Sequence, residues 1–151
     1  MRPELRSVRF AAGICVLRPE RIPEMTRNEL WNKAIAYHGH VCGGITIGFR
    51  AVLYAADLLD LYLDGSDNLS CISECNTCPA DAIRALLDCT EENGKLTVLP
   101  YGKMIFVFKD LTEGQTLKLT LKNPDRKLSK EESQVYYQMR PDNELFEAEW
   151  L

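Results

Sequence analysis

The sequence predicts a mixed α+β domain in which helices cover one face of a small sheet. Three observations predict it. Two capping boxes, Thr26-Arg27-Asn28-Glu29 and Ser129-Lys130-Glu131-Glu132, mark helix starts. Between about residues 42 and 63, apolar side chains recur at helical spacing. Beyond residue 95 the pattern changes to short apolar runs divided by turn signals, which is the pattern of strands.

The chain has 151 residues, enough for one domain with a substantial core. It is 46% hydrophobic and 26% charged, as expected of a globular protein. The formal net charge is −4 and no dense basic stripe is present, so no nucleic-acid partner is expected.

Residues 1–25 read as an N-terminal extension, partly disordered or a strand, ahead of a single domain over 26–151. Arg2, Arg6 and Arg9 precede an apolar run at 10–17 that is too short to span a bilayer. Arg18, Glu20 and Arg21 follow it, where a signal peptide would carry a small-residue cleavage site. Neither export nor membrane insertion is expected, and the chain is read as cytoplasmic. An over-extended gene start is a further reading, with Met25 as the natural first residue.

The first capping box opens a helix with Leu30, Trp31, Ala34, Ile35 and Tyr37 at helical spacing. It should falter at His38-Gly39-His40. A second helix is expected from about Cys42 to about Leu63. Arg50, Asp57 and Asp60 make a membrane span expensive, so this is a buried amphipathic helix. Asp64-Gly65-Ser66-Asp67 is a turn and residues 69–73 a strand. Pro79 suits the first position of a third helix running to about Leu87, which makes Cys78 its N-cap. Strands are expected at 96–99, 103–109 and 116–122, as antiparallel neighbours across the turns at 100–102 and 110–114. The second capping box starts a helix to about Met139, ended by Pro141. Glu144-Leu145-Phe146 is a docking segment or a loose end.

Both histidines lie in His38-Gly39-His40-Val41-Cys42. Imidazole nitrogen and thiolate sulfur are preferred zinc ligands, and they also suit iron and nickel. On a continuous helix His38 and Cys42 share a face. A kink at Gly39 would let His40 join them. Gly43 and Gly44 place no side chain over the site, so a metal or ligand could approach the backbone. The alternative is that the histidines cap and pack a helix junction and Cys42 is a small buried apolar group.

The remaining cysteines are Cys15, Cys71, Cys75, Cys78 and Cys89. Without an export signal, clustered cysteines point to metal or redox chemistry rather than disulfides. Cys75-x-x-Cys78 has a metal or dithiol spacing. Cys71, Cys75 and Cys78 have the spacing of a radical S-adenosylmethionine iron–sulfur site, but the chain is too short for the barrel of such enzymes. An iron–sulfur cluster is not expected. Cys71 alternatively points into the core from a strand. His38, His40, Cys42 and Cys78 together make a four-ligand nitrogen/sulfur set. Cys75 is an additional ligand or redox candidate. Lys103, after a glycine turn, is a candidate for binding an anionic substrate; the plainer reading is a solvated charge.

These residues resemble the formylmethanofuran dehydrogenase E-subunit family. The matching pieces are Leu30-Trp31, His38 to Gly44, Gly48-Phe49-Arg50-Ala51, Cys78-Pro79-Ala80-Asp81-Ala82-Ile83, Cys89-Thr90 and Gly102-Lys103. Leu128-Ser129-Lys130-Glu131-Glu132 and Glu144-Leu145-Phe146 also match. The resemblance implies an α-β-α-β3 core like that of the glyceraldehyde-3-phosphate dehydrogenase catalytic domain. It also implies homodimers and a metal site drawing on His38, His40, Cys42 and Cys78, with Lys103 nearby. Many members carry Cys-Pro-Gly where this chain has Cys42-Gly43-Gly44, and Glu91-Glu92-Asn93-Gly94-Lys95 departs from the family's glycine- and lysine-rich turn. No cysteine follows Cys89, so the chain reads as a core-only member lacking a C-terminal zinc ribbon. The implied role is that of an accessory to a molybdenum or tungsten oxidoreductase, or in metal or cofactor handling. A free-standing small metal-dependent enzyme and a dithiol redox module are the alternatives.

Overall fold

A computed structural model describes residues 26–124 and 127–151, and the backbone of 5–9 and 15–19. Two N-terminal strands, β1 (Leu5–Arg9) and β2 (Cys15–Pro19), pair antiparallel with Val8 opposite Val16. The apolar residues 10–14 and Met25, on which the export and gene-start readings bear, lie outside the described residues.

Helix α1 (Arg27–His38) begins as the capping box requires, with the Thr26 side chain accepting from the Glu29 amide. It ends where Gly39 turns left-handed at φ 100° and its amide bonds to Ile35 O. Helix α2 (Gly43–Leu59) follows, capped by the Cys42 sulfur. It stops short of residue 63 because Asp60 adopts a left-handed conformation and the Leu61 amide closes back on Ala56 O. The freed residues Leu61 and Leu63 still enter the core.

Strand β3 (Leu69–Ser73) leads to α3 (Cys78–Leu87) and then β4 (Leu96–Val98). The N-cap of α3 is Thr77, not Cys78. Extended backbone at Thr77 makes Cys78 the first helical residue and Pro79 the second, where its missing N–H costs nothing. Strands β5 (Ile105–Asp110) and β6 (Thr116–Leu121) complete the central run. Helix α4 (Lys130–Met139), the single turn α5 (Asp142–Leu145) and β7 (Phe146–Trp150) close the chain. The C-terminal segment docks as an edge strand, with Leu145 and Phe146 buried.

The five-stranded sheet has the order β4-β3-β5-β6-β7. Only the β3–β4 pair is parallel. The antiparallel expectation holds for β5 and β6 and fails for β4, which never meets β5. Helix α3 is the crossover that returns the chain parallel to β3. The following loop then wraps the end of β3, held by Leu99 N–H to Ser73 O (2.8 Å) and Lys103 N–H to Glu74 O (2.9 Å).

Alternate strand residues Leu69, Cys71, Phe106, Phe108, Leu117 and Leu119 face inward and are buried. Helix α2 is the hub, packing on α1, α3, α4 and the sheet. Each fully buried Leu, Ile or Phe in this core contributes on the order of 2 kcal/mol. No described helix is long and apolar enough to cross a membrane.

Arg50 is buried in α2, 5% exposed. Its guanidinium donates to Tyr137 O, Gln138 O and Arg140 O at 2.6–3.1 Å and pairs with Asp142 Oδ1 at 2.7 Å. These are open carbonyls at the end of α4, so one α2 side chain fixes α4 in place. That fixes a wall of the site: the Thr46 hydroxyl, 2.9 Å from Cys42 O, lies 3.2 Å from Gln134 Oε1 of α4.

Candidate metal centre

The site forms where α1 ends and α2 and α3 begin. The left-handed turn at Gly39 breaks the helix, so His38 closes α1 while Cys42 caps α2. His38 Nε2 lies 3.6 Å from Cys42 Sγ. The kink also brings His40 in, its ring centroid 4.4 Å from that of His38. Cys78 arrives from the first turn of α3.

The glycines explain how Cys78 gets there. A Cβ on Gly44 would lie 2.8 Å from Cys78 Cβ, and one on Gly48 would lie 2.4 Å from Pro79 O. Gly44 and Gly48 are one turn apart, so they form the bare face on which the N-terminus of α3 rests. At Gly44, bareness therefore serves helix packing rather than ligand approach. At Gly43 a Cβ would meet only Ser133 Cβ, at an ordinary 3.6 Å.

The donor atoms of His38, His40, Cys42 and Cys78 all lie within 4.8 Å of one another. A tetrahedral zinc site with the usual Zn–N and Zn–S lengths has a nitrogen-to-sulfur edge of about 3.5 Å. The His38–Cys42 separation of 3.6 Å matches that edge. The two-nitrogen, two-sulfur set could hold a metal ion.

Electrostatics in the cluster favour a cation. Burial pushes the Cys42 thiol up, but the Ile45 amide, the Cys78 thiol and the His38 ring outweigh it, and Cys42 ends below its ordinary value. Burial and the neighbouring Cys42 push Cys78 up to about 11. Two thiolates side by side repel, and a cation between them removes that penalty. His38 is raised above the ordinary imidazole value, chiefly by its hydrogen bond to Asp81.

Asp81, Arg84 and Glu91 stand behind His38. Asp81 Oδ2 lies 2.8 Å from His38 Nδ1, and its Oδ1 accepts from Arg84 NH1 at 2.8 Å. Arg84 donates two further bonds to Glu91, at 3.0 and 2.8 Å. Sequence reasoning does not find this role for Asp81, which reads there only as a helix residue near Cys78. The available signal is spacing: Asp81 follows Cys78 by three residues, so both stand on one face of α3.

Cys71, Cys75 and Cys89 lie outside this cluster. Cys75 is buried, and its sulfur lies 2.8 Å from the Thr77 hydroxyl, outside the four-donor cluster. Cys71 is buried beside Cys89, and that contact together with burial pushes its thiol up. Cys89 donates to Leu87 O at 3.5 Å. Cys71, Cys75 and Cys78 thus occupy three different environments. Lys103 is exposed and is tied to Glu74 through its backbone.

A sequence model described as FmdE, molybdenum formylmethanofuran dehydrogenase operon, matches residues 37–150. A relative from Archaeoglobus fulgidus, described as a probable S-adenosyl-L-methionine-binding protein, is 26% identical over 123 residues. The match covers 78% of this chain and 34% of that protein, so the chain spans about a third of the relative's length. A crystal structure of a tungsten formylmethanofuran dehydrogenase FmdE-like protein from Syntrophus aciditrophicus superposes with a TM-score of 0.60 at 25% identity. It covers 85% of this chain and 73% of that one. With the matched segment holding all four donor residues and the sheet around them, the chain belongs to the FmdE family.

Proposed function

We propose that this chain is a zinc-binding protein that acts as an accessory to a molybdenum or tungsten oxidoreductase, or in the handling of its metal or cofactor. The observation that carries the reading is the four-donor set His38, His40, Cys42 and Cys78. Four protein donors fill a tetrahedral shell, which is the pattern of a closed rather than a catalytic zinc site. The donor set also accepts iron or nickel. Family membership supports the oxidoreductase association, and the resemblance supports a homodimer. The S-adenosyl-L-methionine in the name of the Archaeoglobus fulgidus relative belongs to a protein of which this chain covers only 34%.

A second reading is favoured by one observation. His40 is exposed, whereas His38, Cys42 and Cys78 are half-buried. If His40 is the donor that leaves, the fourth position opens to water or a carbonyl substrate, as in a small metal-dependent enzyme. Lys103 would then be the group for an anionic substrate. The dithiol reading has less support, since the Cys75 sulfur turns to Thr77 and the Cys78 thiol interacts with Cys42.

Metal analysis of protein purified without added metal tests the first reading. About one zinc per chain is expected, and a substoichiometric trace of zinc, iron or nickel overturns it. Cobalt substitution then separates the two. A tetrahedral spectrum unmoved by azide or cyanide supports the closed site, and a spectrum that shifts with them supports the open one.

A further inference from the structure

Both oxygens of Asp81 are committed. Oδ2 meets His38 Nδ1 at 2.8 Å, and Oδ1 meets Arg84 NH1 at 2.8 Å. Arg84 is itself held from its other side by both carboxylate oxygens of Glu91. A planar guanidinium gripped this way has little freedom to turn. The carboxylate is therefore fixed in position behind the imidazole.

The consequence falls on His38. A carboxylate accepts, so Nδ1 keeps its hydrogen, and Nε2 is left with its lone pair free to coordinate, 3.6 Å from Cys42 Sγ. His40 differs: its ring contacts His38 and it is exposed.

Resting on the metal-binding reading above, we infer that Asp81 is a positioning residue of the centre. Braced by Arg84 and Glu91, it sets the tautomer and ring orientation of His38 and raises the basicity of Nε2. The competing account is that Asp81 only stabilises the N-terminus of α3 as a first-turn acid. That account predicts a loss of fold stability and no selective loss of metal affinity.

The test uses the full chain, zinc and a chromophoric competing chelator near neutral pH, with thermal unfolding of the metal-free protein alongside. Asp81→Asn keeps the shape but removes the charge. It is expected to weaken zinc binding by about 10- to 100-fold, beyond any change in metal-free unfolding. Arg84→Gln, which leaves Asp81 in place but unbraced, is expected to weaken binding by a smaller factor in the same direction. Nitrogen-15 NMR of the zinc-loaded wild type is expected to show His38 protonated at Nδ1 and coordinated through Nε2. Zinc affinity within about twofold of wild type in Asp81→Asn overturns the inference, as does coordination through Nδ1. If Asp81→Asn does not fold, Arg84→Gln and the wild-type tautomer decide. Wild-type protein that takes up no zinc overturns this inference and the zinc reading together. Wild-type binding with an unaffected Asp81→Asn overturns this inference alone.

Discussion

Gly48 of α2 lies against Pro79 of α3 so closely that a Cβ at position 48 would sit 2.4 Å from the Pro79 carbonyl oxygen. The clash would be with backbone, so no rotamer relieves it. The pair sets how near the start of α3, and with it Cys78, can come to Cys42. A four-donor cluster built from two chain segments thus depends on a close contact between residues that supply none of the donors.

Gly48→Ala is therefore expected to destabilise the fold by roughly 1–3 kcal/mol, the usual cost of overpacking. It should also weaken zinc binding by moving Cys78 outward. Urea unfolding and chelator competition check the two effects. Unchanged affinity would show that α3 reaches the site without the close crossing.

Cys42→Ser separates ligand from cap. The Cys42 sulfur accepts from the Ile45 amide at 3.5 Å, and serine is a strong N-cap. The variant is expected to lose zinc yet keep metal-free stability within about 1 kcal/mol of wild type. Retained zinc at full stoichiometry would remove Cys42 from the ligand set.

Arg50→Met removes the side chain that gathers the end of α4. The carbonyls of Tyr137, Gln138 and Arg140 and the Asp142 carboxylate lose their bonds to Arg50. A loss of about 3 kcal/mol in urea unfolding is expected. Proteolysis in the segment after residue 128 should accelerate, since α4 is the element set free.

Zinc affinity should rise with pH. With Cys78 pushed up to about 11, uptake must expel its proton, and the gain from doing so grows as pH increases. Chelator competition at several pH values reads the slope. A flat profile would mean that Cys78 binds no metal.

The metal-free fold should show the opposite trend at His38. Its folded value is raised, chiefly by Asp81, above the ordinary value of 6.5. The stabilisation is therefore fully present below the unfolded value and is lost as pH rises through the folded one. Asp81→Asn should flatten this part of the stability–pH curve. A wild-type curve without a His38-dependent fall would contradict the Asp81 contact.

Much of this protein is local, and most of the local part is legible in the sequence, though the N-cap of α3 and the end of α2 are not. Thr26 and Ser129 cap helices through bonds to residues three positions on, and Cys42 caps α2. The candidate donor set His38, His40, Cys42 and Cys78 follows from residue chemistry, and the break at Gly39 lets three of them gather. The strand pairing of β4 is not local. Its place beside β3 follows from the α3 crossover, and spacing in sequence favours the wrong neighbour, β5. The role of Gly44 and Gly48 is hidden for the same reason: a glycine within a helical pattern does not say what packs against it. The brace on His38 joins residues 38, 81, 84 and 91. The sequence by itself determined which atoms could hold a metal, because donor chemistry belongs to the side chain. Tertiary structure alone decided that Cys78 joins the other three and which nitrogen of His38 faces the cluster, because the first depends on how closely α3 packs on α2 and the second on Asp81 of α3 meeting α1.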